Sequence, residues 1–217
     1  MLMTDIHVRT FIGPALRTYL HSIAKLRMDV FREYPFLEEP DLSLETARLK
    51  RYLASKESIG VLVFDNTTLV GVSLGIPLAL EKEEIQKPFL NRFHDISTYY
   101  YFGESVLLKQ YRNRGIGHHF FDVRETHVKH LLKYKHICFF DPVRPESDPF
   151  KPADYLPLHD FWRKRGYVHC PDLQCSLIWK GPNEDEPSEK SLTFWIKDLH
   201  EDHWAADKSN ESKNGLS

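Results

Sequence analysis

The sequence predicts an α/β fold in which strands and helices interleave in the order βααβββαβαββ. Three features carry that reading. Short runs of apolar, β-branched and aromatic residues recur along the chain, stretches with apolar residues at helical spacing lie between them, and glycine, proline and polar clusters punctuate the two kinds of segment.

Ile6, Val8 and Thr10 alternate with polar neighbours and predict a first strand. Pro14 sits where a helix can open. Leu16, Leu20, Ile23, Leu26, Val30 and Phe31 then recur at helical spacing, predicting a long helix stopped at Tyr34-Pro35. Ser43 is the predicted N-cap of a second helix, with Glu45 in its first turn and Leu49 and Leu53 on its apolar face. SIGVLVFDNTTLVGVSLGIPL reads as two strands joined by a hairpin at Asp65-Asn66. Residues 80–95 are charged and predict a short helical or looped insertion. ISTYYYFGESVLL is the next strand, followed by a polar turn and a helix from about Gly115 to Lys133. HICFFDPV has the form of a buried strand, and the proline-rich RPESDPFKPADYLPL can only be loop. LHDFWRKR predicts a helix stopped by Gly166; a strand follows from about Tyr167 and a last one near SLTFWIKDL, with polar GPNEDEPSEK between them. The expected organisation is one domain over residues 1–198 and a polar tail over 199–217.

A chain of 217 residues that is 41% hydrophobic can bury one substantial core. Its formal charge of -2 provides no overall positive field, so nucleic acid and anionic membranes are not expected partners. No run approaches the roughly 18 apolar residues of a membrane span, and MLMTDIHVRTF lacks the form of a secretory signal. Cys138, Cys170 and Cys175 make an odd set that suits reduced thiols better than disulfides or zinc. The expectation is a soluble cytoplasmic protein, monomer or homodimer.

The turn YRNRGIG offers backbone amides that have no partner within the following helix. Gly115 and Gly117 remove the Cβ atoms that would keep a ligand away from them, and the helix start adds partial positive charge. Arg112 and Arg114 bring full charges. The result suits a pyrophosphate, although a tight strand-to-helix connection without a ligand would use the same glycines. There is no G-x-x-x-x-G-K-[ST], and the first glycine of G-x-G-x-x-G is missing, which argues against a nucleoside triphosphatase or a dinucleotide enzyme.

QYRNRGIG after a strand resembles the R/Q-x-x-G-x-G/A signature of the GNAT N-acetyltransferase superfamily, with Arg112, Gly115 and Gly117 at the defining positions. FWRKRGYV resembles the family's next block, and the element order looks like that fold. The resemblance implies a mixed, mostly antiparallel central sheet flanked by helices and acetyl-CoA as cosubstrate. It places the pyrophosphate on Arg112, Asn113, Arg114, Gly115, Ile116, Gly117 and His118. It further implies a bulged, splayed strand before the signature whose backbone, at Leu107, Leu108 and Lys109, holds the pantetheine of coenzyme A.

Acetyl transfer to an amine requires the ammonium to lose a proton, and Glu104, in apolar and aromatic surroundings, is the candidate base; a structural hydrogen-bonding role is the alternative. Many family members carry a tyrosine acid where this chain has Trp162. Tyr155 and Tyr167 lie nearby, with Tyr155 preferred because it sits in a loop. The first-helix loop and the loop after the fifth strand surround the acceptor in this fold, and Glu33, Tyr34, Tyr101, Arg144 and Trp162 are the expected substrate contacts, although for Trp162 the buried face of a helix is the reading its residue type favours. His118, His119, His127 and His130 match no metal motif and read as a solvated helix face, so no metal is expected. The expected acceptor is a small-molecule amine; a protein amine, or a CoA-binding module without catalysis, are the alternatives.

Overall fold

The computed structural model describes residues 5–199. Most of the expected tail, residues 200–217, lies outside the described residues, while Leu199 is buried and its amide donates to the Lys135 carbonyl at 2.8 Å. The elements are β1 (Ile6–Ile12), α1 (Leu20–Phe31), α2 (Leu42–Ala54), β2 (Ile59–Asp65), β3 (Thr68–Pro77), α3 (Glu83–Leu90), β4 (Tyr99–Leu107), α4 (Ile116–His130), β5 (His136–Pro142), α5 (His159–Lys164), β6 (Val168–Trp179) and β7 (Ser188–Asp198).

The seven strands form one sheet in the order β1-β2-β3-β4-β5-β7-β6, in which only the β4–β5 pair is parallel. This is the mixed, mostly antiparallel sheet expected. Alternation along the strands sends side chains to two cores. Leu62, Val72, Leu74 and Tyr101 pack under Ile23 of α1, Leu49 of α2 and Phe89 of α3. Val61, Val63, Tyr100 and Phe139 pack under Phe120 and Val128 of α4 and Trp162 of α5.

Two local readings change. The first helical stretch begins as a 3-10 helix, Gly13–Tyr19, before α1. The N-cap of α2 is Asp41 rather than Ser43: its Oδ1 accepts from the amides of Ser43 at 2.9 Å and Leu44 at 3.0 Å, a reach that a cap two residues later does not have.

β4 carries the irregularity that positions the site. Its register against β3 shifts so that Ile76 faces Tyr101 while Leu74 faces Glu104, which puts an extra β4 residue opposite Gly75 and makes a bulge at 102–103. The bulge reverses the alternation, so Tyr101 and Glu104 face the same core side. On its other edge β4 pairs with β5 only from Tyr99 to Tyr101, against His136 to Cys138. Beyond those pairs the two strands part.

Candidate active site

The turn after β4 leads into α4 through Gly115, the N-cap, whose φ of 80° is left-handed and favours glycine. Asn113 is left-handed as well, at φ 61°. The first amide engaged after this turn is that of His119, which donates to the Gly115 carbonyl at 3.2 Å. The opening amides of α4, those of Ile116, Gly117 and His118, have no acceptor within the helix. A Cβ built at Gly115 or at Gly117 would meet no protein atom within 4 Å. Neither glycine relieves a packing conflict, and the space they leave is open to a ligand.

Arg112 braces this turn. Its Nε donates to the Leu107 carbonyl at 2.9 Å and its Nη1 to Glu33 at 2.7 Å, so the expected cofactor residue and the expected substrate residue form one half-exposed ion pair. The Leu108 amide donates to Val70 at 3.0 Å, and Lys109 opens a 3-10 turn over Lys109–Tyr111. With Leu107 O and Leu108 N engaged, the open backbone edge lies upstream of the Leu107–Lys109 triplet, from Phe102 where β5 departs. The Arg114 guanidinium lies over the Tyr111 ring at 5.5 Å, and the His118 ring packs on Phe161 at 4.8 Å.

Arg124 of α4 secures the bulge from the same face. It is fully buried, donates to the carbonyls of Leu74 at 3.0 Å and Glu104 at 3.3 Å and to Ser105 Oγ at 2.8 Å, and lies 4.0 Å over the Phe102 ring. Burial pulls its guanidinium down to about 10.

The opposite face of the parted strands opens into a cavity of ≈ 320 Å³. Tyr101, Gly103 and Glu104 of β4 and Phe140 of β5 form one wall, with Arg27 of α1 and Trp179 of β6 among the residues around them. Glu104 is only 8% exposed. Its surroundings are not the apolar ones the sequence suggested, because Arg27 pairs with one carboxylate oxygen and the Tyr52 hydroxyl donates to the other at 3.0 Å. Arg27 also holds Glu45 at 2.5 Å, Arg48 joins Glu45 at 2.7 Å to Glu38 at 2.6 Å, and Arg51 holds Glu81 at 2.9 Å. Burial raises the Glu81 carboxyl above its ordinary range; Arg51 opposes that shift and Glu104 adds to it.

Above the cavity two loops are tied together. Arg144, expected to meet substrate, donates instead to the carbonyls of Pro35 at 2.7 Å and Phe36 at 2.8 Å, and Trp179 donates to Phe36 O at 3.0 Å. Tyr34 packs edge-on against Tyr155 at 4.6 Å. Burial first, then Asp141 and Tyr34, pushes the Tyr155 hydroxyl up to about 12. Asp141 in turn lies 2.9 Å from His159 Nε2.

Of the expected acceptor contacts, only Tyr101 lines the cavity. Glu33 is on Arg112, Tyr34 and Arg144 join the loops, and Trp162 is core, 5.0 Å from Phe139 and 5.1 Å from Trp195. The indole is buried because it faces the sheet from α5, the packing alternative named for it. Arg27, Tyr52, Glu81 and Arg124 were missed. A signal existed for the arginines, since Ile23-Arg27-Phe31 and Phe120-Arg124-Val128 each place a cation within an apolar helical stripe. Among the described residues, no group of three or more His, Cys, Asp or Glu side chains is arranged to hold a metal ion, and no helix is long and apolar enough to cross a membrane.

No protein-family model and no curated protein sequence matches the chain. Solved structures do. A ribosomal-protein-alanine N-acetyltransferase from Brucella melitensis superposes with a TM-score of 0.58 at 12% identity, covering 89% of this chain and 99% of that one. A GNAT-family acetyltransferase from Streptococcus pneumoniae gives 0.56 at 12%, covering 90% and 100%. NAA60 from Arabidopsis thaliana in complex with acetyl-CoA gives 0.58 at 11%, covering 90% and 99%. The chain therefore has the fold of the GNAT acetyltransferases, over nearly the full length of these structures.

Proposed function

We propose that the protein is an acetyl-CoA-dependent N-acetyltransferase acting on a primary amine of a small molecule. One observation carries the reading: β4 and β5 part after Tyr101, and the gap has an amide-lined helix start on one side and a charged cavity on the other. The open cradle at Gly115 and Gly117 fits a diphosphate, with Arg112 and Arg114 as the nearby cations. When bound, acetyl-CoA supplies an acetyl thioester, whose C–S bond breaks as the C–N bond to the acceptor forms.

In this reading residues 113–118 hold the diphosphate, His118 flanks it, and the free β4 edge from Phe102 towards Leu107, Leu108 and Lys109 orients the pantetheine. Glu104 lines the cavity where the acceptor enters and takes its proton. Tyr155, packed on Tyr34, is the proposed hydrogen-bond donor to the leaving thiolate. Its hydroxyl, pushed up to about 12, stays protonated and is suited to hydrogen-bond the departing sulfur, while a thiolate, ordinarily near 8.5, leaves without taking that proton. The cavity of ≈ 320 Å³, lined by Tyr101, Glu104 and Phe140, is of a size that suits a small amine. The three free thiols agree with a reducing compartment such as the cytoplasm, and one catalytic domain over residues 1–198 accounts for every element of the reading.

A second reading, a protein amine as acceptor, has behind it the Brucella melitensis structure, a ribosomal-protein-alanine N-acetyltransferase. The test is titration calorimetry with coenzyme A, followed by thiol release from acetyl-CoA over a panel of small amines and short peptides. Saturable binding and turnover with small amines are expected. Turnover only with peptides would select the second reading, and binding without any turnover would leave a CoA-binding module.

A further inference from the structure

Tyr52 is fully buried and points its hydroxyl between two carboxylates from different parts of the chain. The Glu104 oxygen is 3.0 Å away and the Glu81 oxygen 3.4 Å, the second contact being long and weak. The chain makes room for this hydroxyl at a specific cost in β4: a Cβ at Gly103 would lie 1.9 Å from it. Glycine is thus required at the bulge beside the cavity. A phenol has one proton to donate, so it cannot satisfy two ionised carboxylates at once. The shorter contact gives that proton to Glu104, while Arg51 and the Lys82 amide hold Glu81, and the second carboxylate lies within reach should the hydroxyl turn.

We propose that Tyr52 relays the acceptor's proton from Glu104, on the cavity wall, to Glu81, behind it. The inference rests on the acetyltransferase reading. An ammonium in the cavity gives one proton to Glu104 and keeps the N–H electron pair. The Glu104 carboxyl passes a proton to the Tyr52 oxygen as the Tyr52 proton moves to Glu81. Glu104 is again a carboxylate, Glu81 is protonated, and the amine is neutral and nucleophilic. The charged and titratable groups around the pair come from every side: Arg27 of α1, shared with Glu45, on Glu104, Arg51 of α2 on Glu81, and the neutral Tyr101 of β4 and Cys138 of β5 near Glu81, whose second oxygen accepts from the Lys82 amide at 3.1 Å. Burial, and after it the neighbouring Glu104 charge, raise the Glu81 carboxyl above its ordinary range against the opposing Arg51.

The test compares wild type, Tyr52→Phe and Glu81→Gln with two acceptors, an alkylamine that is an ammonium at pH 7 and a weakly basic amine that is already neutral there. With the alkylamine, kcat is expected to fall roughly 10²-fold in both variants, the scale of a general-base contribution, with KM little changed and the loss shrinking as pH rises. With the neutral amine, kcat is expected to stay within about twofold of wild type. Equal losses with both acceptors would assign Tyr52 a merely structural role and overturn the relay.

A second readout needs no turnover. Carbon-13 NMR of the glutamate carboxyl groups in the resting protein is expected to show Glu81 titrating above the ordinary range and shifting when Tyr52→Phe or Glu104→Gln is introduced. A Glu81 signal indifferent to both substitutions overturns the relay even in a protein that transfers no acetyl group. Absence of turnover in wild type alongside coupled NMR titrations would instead count against the acetyltransferase reading and for the coupled pair.

Discussion

Replacing Gly117 with Glu separates the fold from its ligand. Gly117 is exposed, stands second in α4, and a Cβ there has no protein atom within 4 Å. The fold therefore accepts a side chain, and the helix gains by it: losing glycine's conformational freedom is worth about 0.5–1 kcal/mol, and a carboxylate in the first turn adds about 0.3–1 kcal/mol. Together about 1 kcal/mol raises the Tm by roughly 2–4 °C for a chain of this size. The same carboxylate stands where the diphosphate is proposed to bind. At about 4 Å and an effective dielectric near 20, each unit of like charge costs about 4 kcal/mol, or roughly a thousandfold in affinity. Differential scanning fluorimetry and titration calorimetry with coenzyme A read the two effects side by side. A variant that is as stable as wild type or more so, and binds coenzyme A normally, refutes the placement of the ligand at this helix start.

Other expectations follow from the same geometry. Arg124→Met leaves the carbonyls of Leu74 and Glu104 and the Ser105 hydroxyl without their buried donor; at about 1–3 kcal/mol for an unsatisfied group, urea denaturation should show a loss of at least about 2 kcal/mol, and an unchanged midpoint would contradict the bracing role. Gly103→Ala should displace the Tyr52 hydroxyl and slow acetylation of alkylamines more than of neutral amines, measured by thiol release. Arg144→Met should untie residues 35 and 36 from the β5–α5 loop and raise the acceptor KM while coenzyme A affinity, read by calorimetry, stays the same. The Glu81 carboxyl is raised from an ordinary 4.5, so between that value and its folded one the native state binds the extra proton. Its contribution to stability is present at low pH and lost as pH rises through that window. Tm plotted against pH should therefore decline less steeply through it in Glu81→Gln than in wild type, and parallel curves would remove Glu81 from the account.

The signature turn was legible because it is local: Arg112, Gly115 and Gly117 act through spacing and backbone conformation that a short stretch contains. The strands were legible from alternation, and the hairpin from Asp65-Asn66. The site beyond the turn was not, for reasons visible in β4. A strict period of two sends Tyr101 and Glu104 to opposite faces, and only the bulge at 102–103, created by pairing with a strand some thirty residues earlier, returns them to one side. Glu104 read as a carboxyl among aromatics because its sequence neighbours are aromatic, whereas its spatial neighbours are Arg27, more than seventy residues earlier, and Tyr52. Arg144 looked free to bind substrate in a loop rich in charges, yet the carbonyls left unpaired in the α1–α2 loop claim it. The misplacement of the α2 cap has a smaller cause: Asp and Ser are comparable caps, and their order along the chain does not decide which carboxylate or hydroxyl reaches two amides.

The most direct measurement is a crystal structure with coenzyme A joined covalently to a simple amine. The account predicts the diphosphate on the amides of residues 113–118, the linker threading between β4 and β5 beyond Tyr101, and the amine in the cavity beside Glu104. Coenzyme A bound elsewhere, or β4 and β5 zipped together past Tyr101 with the linker outside them, contradicts it.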